Sequence, residues 1–145
     1  MVIGHKKKSG QAIMEMVLVL PLLLLLIAGT MDFGKLFFTK IVMTNAVREG
    51  VNYISRHPDD KTNCDPHNST LCYLETVDII QKEADSSNVT VSRSEITFTD
   101  CCTEGSAVQV RITKPVNLMF GQIFALFGAI SDPVQLVSTA RMVVQ

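Results

Sequence analysis

The chain has 145 residues, with 13 lysines and arginines set against 14 aspartates and glutamates. That balance lacks the one-signed field that nucleic-acid binding calls for, so no nucleic acid is expected among its partners. Hydrophobic residues make up 47 % of the chain and are concentrated near its start, and the length outside that region suffices for one modest core but not for two domains.

The N-terminus opens with the basic cluster His5-Lys6-Lys7-Lys8, then Ser9-Gly10-Gln11-Ala12-Ile13-Met14-Glu15. Residues 12–31 carry a single charge, Glu15, and residues 22–26 are all leucine. A helix of about 20 such residues crosses roughly 30 Å of hydrocarbon. Pro21 removes one backbone hydrogen bond and predicts a kink, which membrane helices tolerate. The lysines before the run and Asp32 after it predict a cytoplasmic N-terminus and an exported remainder. A carboxylate in hydrocarbon costs about 2.5 kcal/mol or more at a helix centre, so Glu15 marks a candidate functional position.

Three readings fit this segment. It can be a plain membrane anchor. It can be a secretory signal peptide with an apolar stretch over residues 16–27, for which Ala28-Gly29-Thr30 is a fair imitation of a cleavage site. Or it can be a prepilin-type signal, cut on the cytoplasmic side after Gly10 with the apolar helix retained. Glycine, glutamate five residues later and an immediate helix start fit the third.

The helix is expected to run past the bilayer. No proline interrupts residues 32–56, and Leu36, Met43, Val47, Gly50 and Ile54 share one face, with Lys35, Lys40, Asn45, Arg48 and Asn52 on more polar faces. His57-Pro58 ends it. Residues 58–71 are polar and turn-rich and read as a loop. A second helix over residues 73–85 places Leu74, Val77, Ile80 and Ala84 on one side. After Ser86-Ser87-Asn88 the period becomes two: Val89, Val91 and Arg93, then Ile96 and Phe98, then Val108, Val110 and Ile112, with a last strand over residues 134–143. Residues 116–130 are apolar but short of a membrane span, and predict a buried or membrane-surface helix.

The expected fold class is therefore α+β: a long N-terminal helix, transmembrane then amphipathic, packed on a small sheet of three or four antiparallel strands. The divisions are a basic leader over residues 1–10, the extended helix over 11–57 and an exported domain over 58–145.

All four cysteines, Cys64, Cys72, Cys101 and Cys102, fall in the exported part. An even count there predicts two disulfides. Joining the neighbours Cys101 and Cys102 would close a strained ring, so each is expected to bridge to Cys64 or Cys72, stabilising the domain by about 2–4 kcal/mol per bridge. The alternative is a metal site from His57, Cys64, His67 and Cys72. Its spacing matches no standard zinc finger, and an oxidising compartment favours disulfides, so neither metal nor cofactor is expected. No base and carboxylate flank a nucleophile in a catalytic pattern, and no glycine-rich phosphate loop is present, so the chain does not read as an enzyme.

Four separated elements, Gly10-Gln11-Ala12-Ile13-Met14-Glu15, Leu20-Pro21-Leu22-Leu23, Met31-Asp32-Phe33-Gly34 and Arg48-Glu49-Gly50, resemble the TadE-like family over about the first third of the chain. That family comprises pseudopilins of the tight-adherence (Tad, or Flp) pilus system. The resemblance implies a pilin-like fold and a single-pass protein of the inner membrane that assists pilus or secretion-apparatus assembly. It implies cleavage after Gly10 by a prepilin peptidase, leaving Gln11 as the new N-terminus, whose amine Glu15 of a neighbouring subunit would pair with. Partners would be other pilin-like subunits, membrane platform proteins and the lipid bilayer. Met16 stands where the family usually has an aromatic residue. Since the family is bacterial, the N-glycosylation patterns at Asn68 and Asn88 read as chance. A different class of function, a single-pass protein with an exported ligand- or metal-binding domain, is distinguished by an N-terminus left uncut.

Overall fold

One helix carries the architecture. In the computed structural model, which describes residues 9–57, 73–99, 107–121, 128 and 133–143, α1 runs unbroken over Ser9–Arg56, 48 residues or about 72 Å. Pro21 lies inside this helix, which continues on both sides of it. Its second half has the amphipathic pattern expected from sequence. Met43, Val47, Gly50 and Ile54 are buried and Leu36 is half-buried, while Asn45 and Arg48 are exposed.

A second helix, α2 (Leu74–Ser86), lies against this half and buries Thr76, Val77, Ile80 and Ala84. Leu74, expected on its buried face, is exposed. The first turn is displaced because Tyr73 stands before the helix at φ 64°, a left-handed conformation, and directs its ring against Phe98 with centroids 4.7 Å apart. The helices approach closely at Gly50, where an added Cβ would lie 2.5 Å from both Cδ1 and Cγ1 of Ile80.

The sheet has three antiparallel strands in the order β1 (Ile96–Thr99), β2 (Ala107–Val116), β3 (Val134–Val143). Ile96 pairs with Ile112, and Ile112 with Ser138. Alternation therefore puts Ile96, Val108, Val110 and Ile112 on one face, where they join Met43, Val47, Val51, Val77 and Ile80 in a single core. Pro115 sits in the central strand, paired with Gln135. It is tolerated because β1 ends its pairing at Ile112, so that side of Pro115 has no strand to receive a hydrogen bond.

The stretch over residues 89–93 is not a strand, although its alternation predicts one. Val89 and Val91 are buried, but the chain then closes into a 3-10 turn over Arg93–Glu95. The turn is held by the Ser92 backbone N–H donating to the Glu95 carboxylate at 2.9 Å, and Glu95 also pairs with Lys114 Nζ at 3.4 Å. Local capping outcompetes the ladder here. Of the apolar stretch 116–130, the described part is the end of β2 and a bend at Met119 and Phe120. The helix expected over residues 116–130 therefore does not start at Val116, because the β2 ladder with β3 holds the chain extended there. Residues 122–127 and 129–130 of that stretch, like the loop 58–71 and all four cysteines, lie outside the described residues.

Gly50→Ala should destabilise the fold, because overpacking a buried helix contact costs about 1–3 kcal/mol and offsets the roughly 1 kcal/mol gained in helix propensity. Gly34→Ala, where the added carbon meets nothing within 4 Å, should be neutral or stabilising. Thermal unfolding of the two variants in mild detergent, followed by circular dichroism, should show a lowered midpoint for Gly50→Ala and no lowering for Gly34→Ala.

Candidate functional site

The first part of α1 has no protein to pack against. Every residue over 10–27 is exposed, including Leu18 at 77 % and Leu22 at 68 %. Each large apolar side chain left in water forgoes about 1.5–3 kcal/mol. This α1 segment is long and apolar enough to cross a membrane, where that surface would be covered.

Glu15 lies in the second turn of this segment. Gln11 Nε2 donates to Glu15 Oε1 at 3.4 Å, one helical turn away. Among the described residues no cation forms an ion pair with Glu15. Gly10 is helical and exposed, so the Gly10–Gln11 bond lies in the first turn of α1. Helical spacing thus brings Gln11 and Glu15 together, while Pro21 stands apart on the exposed surface of the same helix.

At the other end of the apolar run the structure forms a tie that sequence reasoning missed. Asp32 is 4 % exposed. Its Oδ1 accepts the Met119 backbone N–H at 2.8 Å and its Oδ2 accepts that of Phe120 at 3.0 Å. One turn on, Lys35 Nζ donates to the Asn117 carbonyl at 2.8 Å. Carboxylate and ammonium together hold both kinds of backbone group in the segment that follows β2, and such charge-assisted bonds are about twice as strong as neutral ones. Further along α1, Lys40 Nζ donates to the Val137 carbonyl, and the Thr44 and Ser138 hydroxyls share a hydrogen bond of 3.0 Å. The helix is thereby joined to β3 as well. A signal existed in the sequence: Asp32 falls four residues before Leu36, on the face that becomes the core.

His57, the one described member of the considered metal cluster, stacks on Tyr53 with ring centroids 4.2 Å apart. No group of three or more potential metal ligands occurs among the described residues. The cysteines and His67 lie outside them. A groove of about 790 Å³ opens between α1, α2 and β3, lined by Arg48, Glu49, Asn52, Glu83 and Arg141 among others.

Residues 10–52 match the family model described as TadE-like protein. Over these residues the long helix is similar to the TadE-like family. The match begins at the glycine before Glu15 and ends beyond Gly50, taking in the exposed apolar run, the Asp32 tie and the first core turns of α1. It therefore agrees with the resemblance read from the residues over nearly the same span. No curated protein and no solved structure matches the chain.

Asp32→Ala should leave two backbone donors without their acceptor, at a cost of about 1–3 kcal/mol in local stability. Amide hydrogen exchange at Met119 and Phe120 should accelerate while that at Val110 and Ile112 stays slow. Uniform acceleration would instead show that Asp32 supports the whole domain.

Proposed function

We propose that the protein is a non-enzymatic, membrane-anchored pseudopilin that assists assembly of a Tad- or Flp-type pilus or a related secretion apparatus. The observation that carries this reading is the TadE-like match over a helix whose apolar surface is bare and whose Glu15 has no cationic partner in its own described chain. A carboxylate at the edge of a membrane run is stabilised by an opposite charge brought to it in a poorly solvated site. Cleavage after Gly10 would supply that charge as the amine of Gln11 on another subunit, and the pair would set the axial register between them.

In this reading the N-terminus lies in the cytoplasm of a bacterial cell and the sheet domain lies outside the inner membrane. A prepilin peptidase is the processing partner, and pilin-like subunits and platform proteins meet the TadE-like helix in the bilayer. Disulfides among Cys64, Cys72, Cys101 and Cys102 would brace the exported domain. The open groove beside Arg48 and Glu83 favours, as a second reading, a ligand-binding role for that domain.

Two measurements test the proposal. Mass spectrometry of the native membrane-extracted protein should give a chain beginning at Gln11; an intact leader would remove the amine on which the register mechanism depends. Glu15→Ala should accumulate in the membrane at wild-type level yet fail to support pilus assembly, whereas normal assembly would exclude the role assigned to Glu15.

A further inference from the structure

The two sides of α1 leave the apolar regime at different heights. On the side facing the sheet, Ala28 and Asp32 are already buried in the folded domain. Toward the opposite side Met31, Phe33, Phe37, Phe38 and Ile41 remain between 45 % and 68 % exposed. Helical periodicity places Met31, Phe37, Phe38 and Ile41 in the half of the helix turned away from Asp32, Leu36 and Met43, with Phe33 at its border. Phe33 and Phe37 stack on each other with centroids 6.2 Å apart. The same side then turns polar at Asn45, Arg48, Glu49 and Asn52.

The charges in this interval are directed away from the stripe. Residues 31–44 contain three ionisable side chains, Asp32, Lys35 and Lys40, and each is hydrogen-bonded to the backbone of the domain, at Met119 and Phe120, at Asn117 and at Val137 respectively. The stripe is thus left without a charged group over about three helical turns. It also continues the bare apolar surface of the preceding segment across Thr30, whose hydroxyl donates to the Ile27 carbonyl at 2.8 Å.

We propose that this stripe faces lipid: α1 leaves the bilayer obliquely, with its domain side emerging at Asp32 and its outer side in acyl chains as far as Ile41. The proposal rests on the membrane-spanning reading of the segment before it. From Ile13 to Ile41 the outer side is about 42 Å long, and a tilt of about 40°, at the upper end of the range for membrane helices, projects it onto about 32 Å, close to the thickness of the hydrocarbon core. Tilting toward the outer side lifts the sheet domain away from the bilayer, so insertion of the stripe does not require Asp32 to release Met119 and Phe120.

The chain contains no tryptophan, so a single introduced one reports its own surroundings. Leu22→Trp, Phe37→Trp and Arg48→Trp replace exposed side chains and should leave the fold intact. The full chain carrying each is reconstituted into phosphatidylcholine–phosphatidylglycerol vesicles whose acyl chains are brominated. Phe37→Trp should lose emission to the same extent as Leu22→Trp, while Arg48→Trp keeps its emission. Quenching of Leu22→Trp alone would overturn the oblique exit and leave the membrane span standing. Quenching of none would overturn both. If Phe37→Trp is protected at high protein density and becomes quenched on dilution with lipid, a second copy covers the stripe and the lipid assignment fails.

Discussion

One uninterrupted helix carries both a bare apolar run and one wall of a packed core, and the rest of the structure follows from how it does so. Because α1 closes its backbone hydrogen bonds within itself, it can present bare leucines along its first half without exposing unsatisfied peptide groups. The same rod then supplies Met43, Val47 and Val51 to the core of a folded domain. With no flexible joint between the two halves, the domain is held in a defined relation to the apolar segment. Asp32 makes that relation specific, since its carboxylate meets the backbone at Met119 and Phe120 just where the bare run gives way to protein contacts.

The sheet depends on this helix more than the helix depends on the sheet. A ladder of three strands, one of them four residues long, is marginal unless it has an apolar face to bury. Here β2 supplies Val108, Val110 and Ile112, and the covering layer is α1 with α2 wedged beside it at Gly50 and Ile80. The absence of a side chain at Gly50 lets α2 approach, which in turn closes the core over β2. The one helix α1 is therefore both a bare apolar run and half of a packed core, and a change in its shared face reaches the apolar segment and the domain together.

Much of this was legible in the chain itself. The apolar run with its lone Glu15, the amphipathic continuation through Met43, Val47, Gly50 and Ile54, the second helix and the extended segments that become β2 and β3 all follow from the sequence pattern, since burial on one face imposes its repeat on the sequence. The pairing of those strands does not. The family resemblance rested on short motifs within that same periodic stretch, and the match over residues 10–52 covers it. Residues 89–93 mislead for a local reason. Val89 and Val91 alternate because both are buried, yet the Ser92–Glu95 cap turns the backbone before a ladder can form.

The sequence by itself determined where the chain is apolar on all sides, where it is apolar on one, and which carboxylate lies at the edge of the run, because these are properties of composition and repeat. Only the tertiary structure decided what the charges beyond that edge do. Asp32, Lys35 and Lys40 look like ordinary polar punctuation in a helix, and each became a link to backbone groups more than eighty residues away. No periodic signal announces such a link, since it depends on where β2 and β3 return in space rather than on any neighbour along the chain.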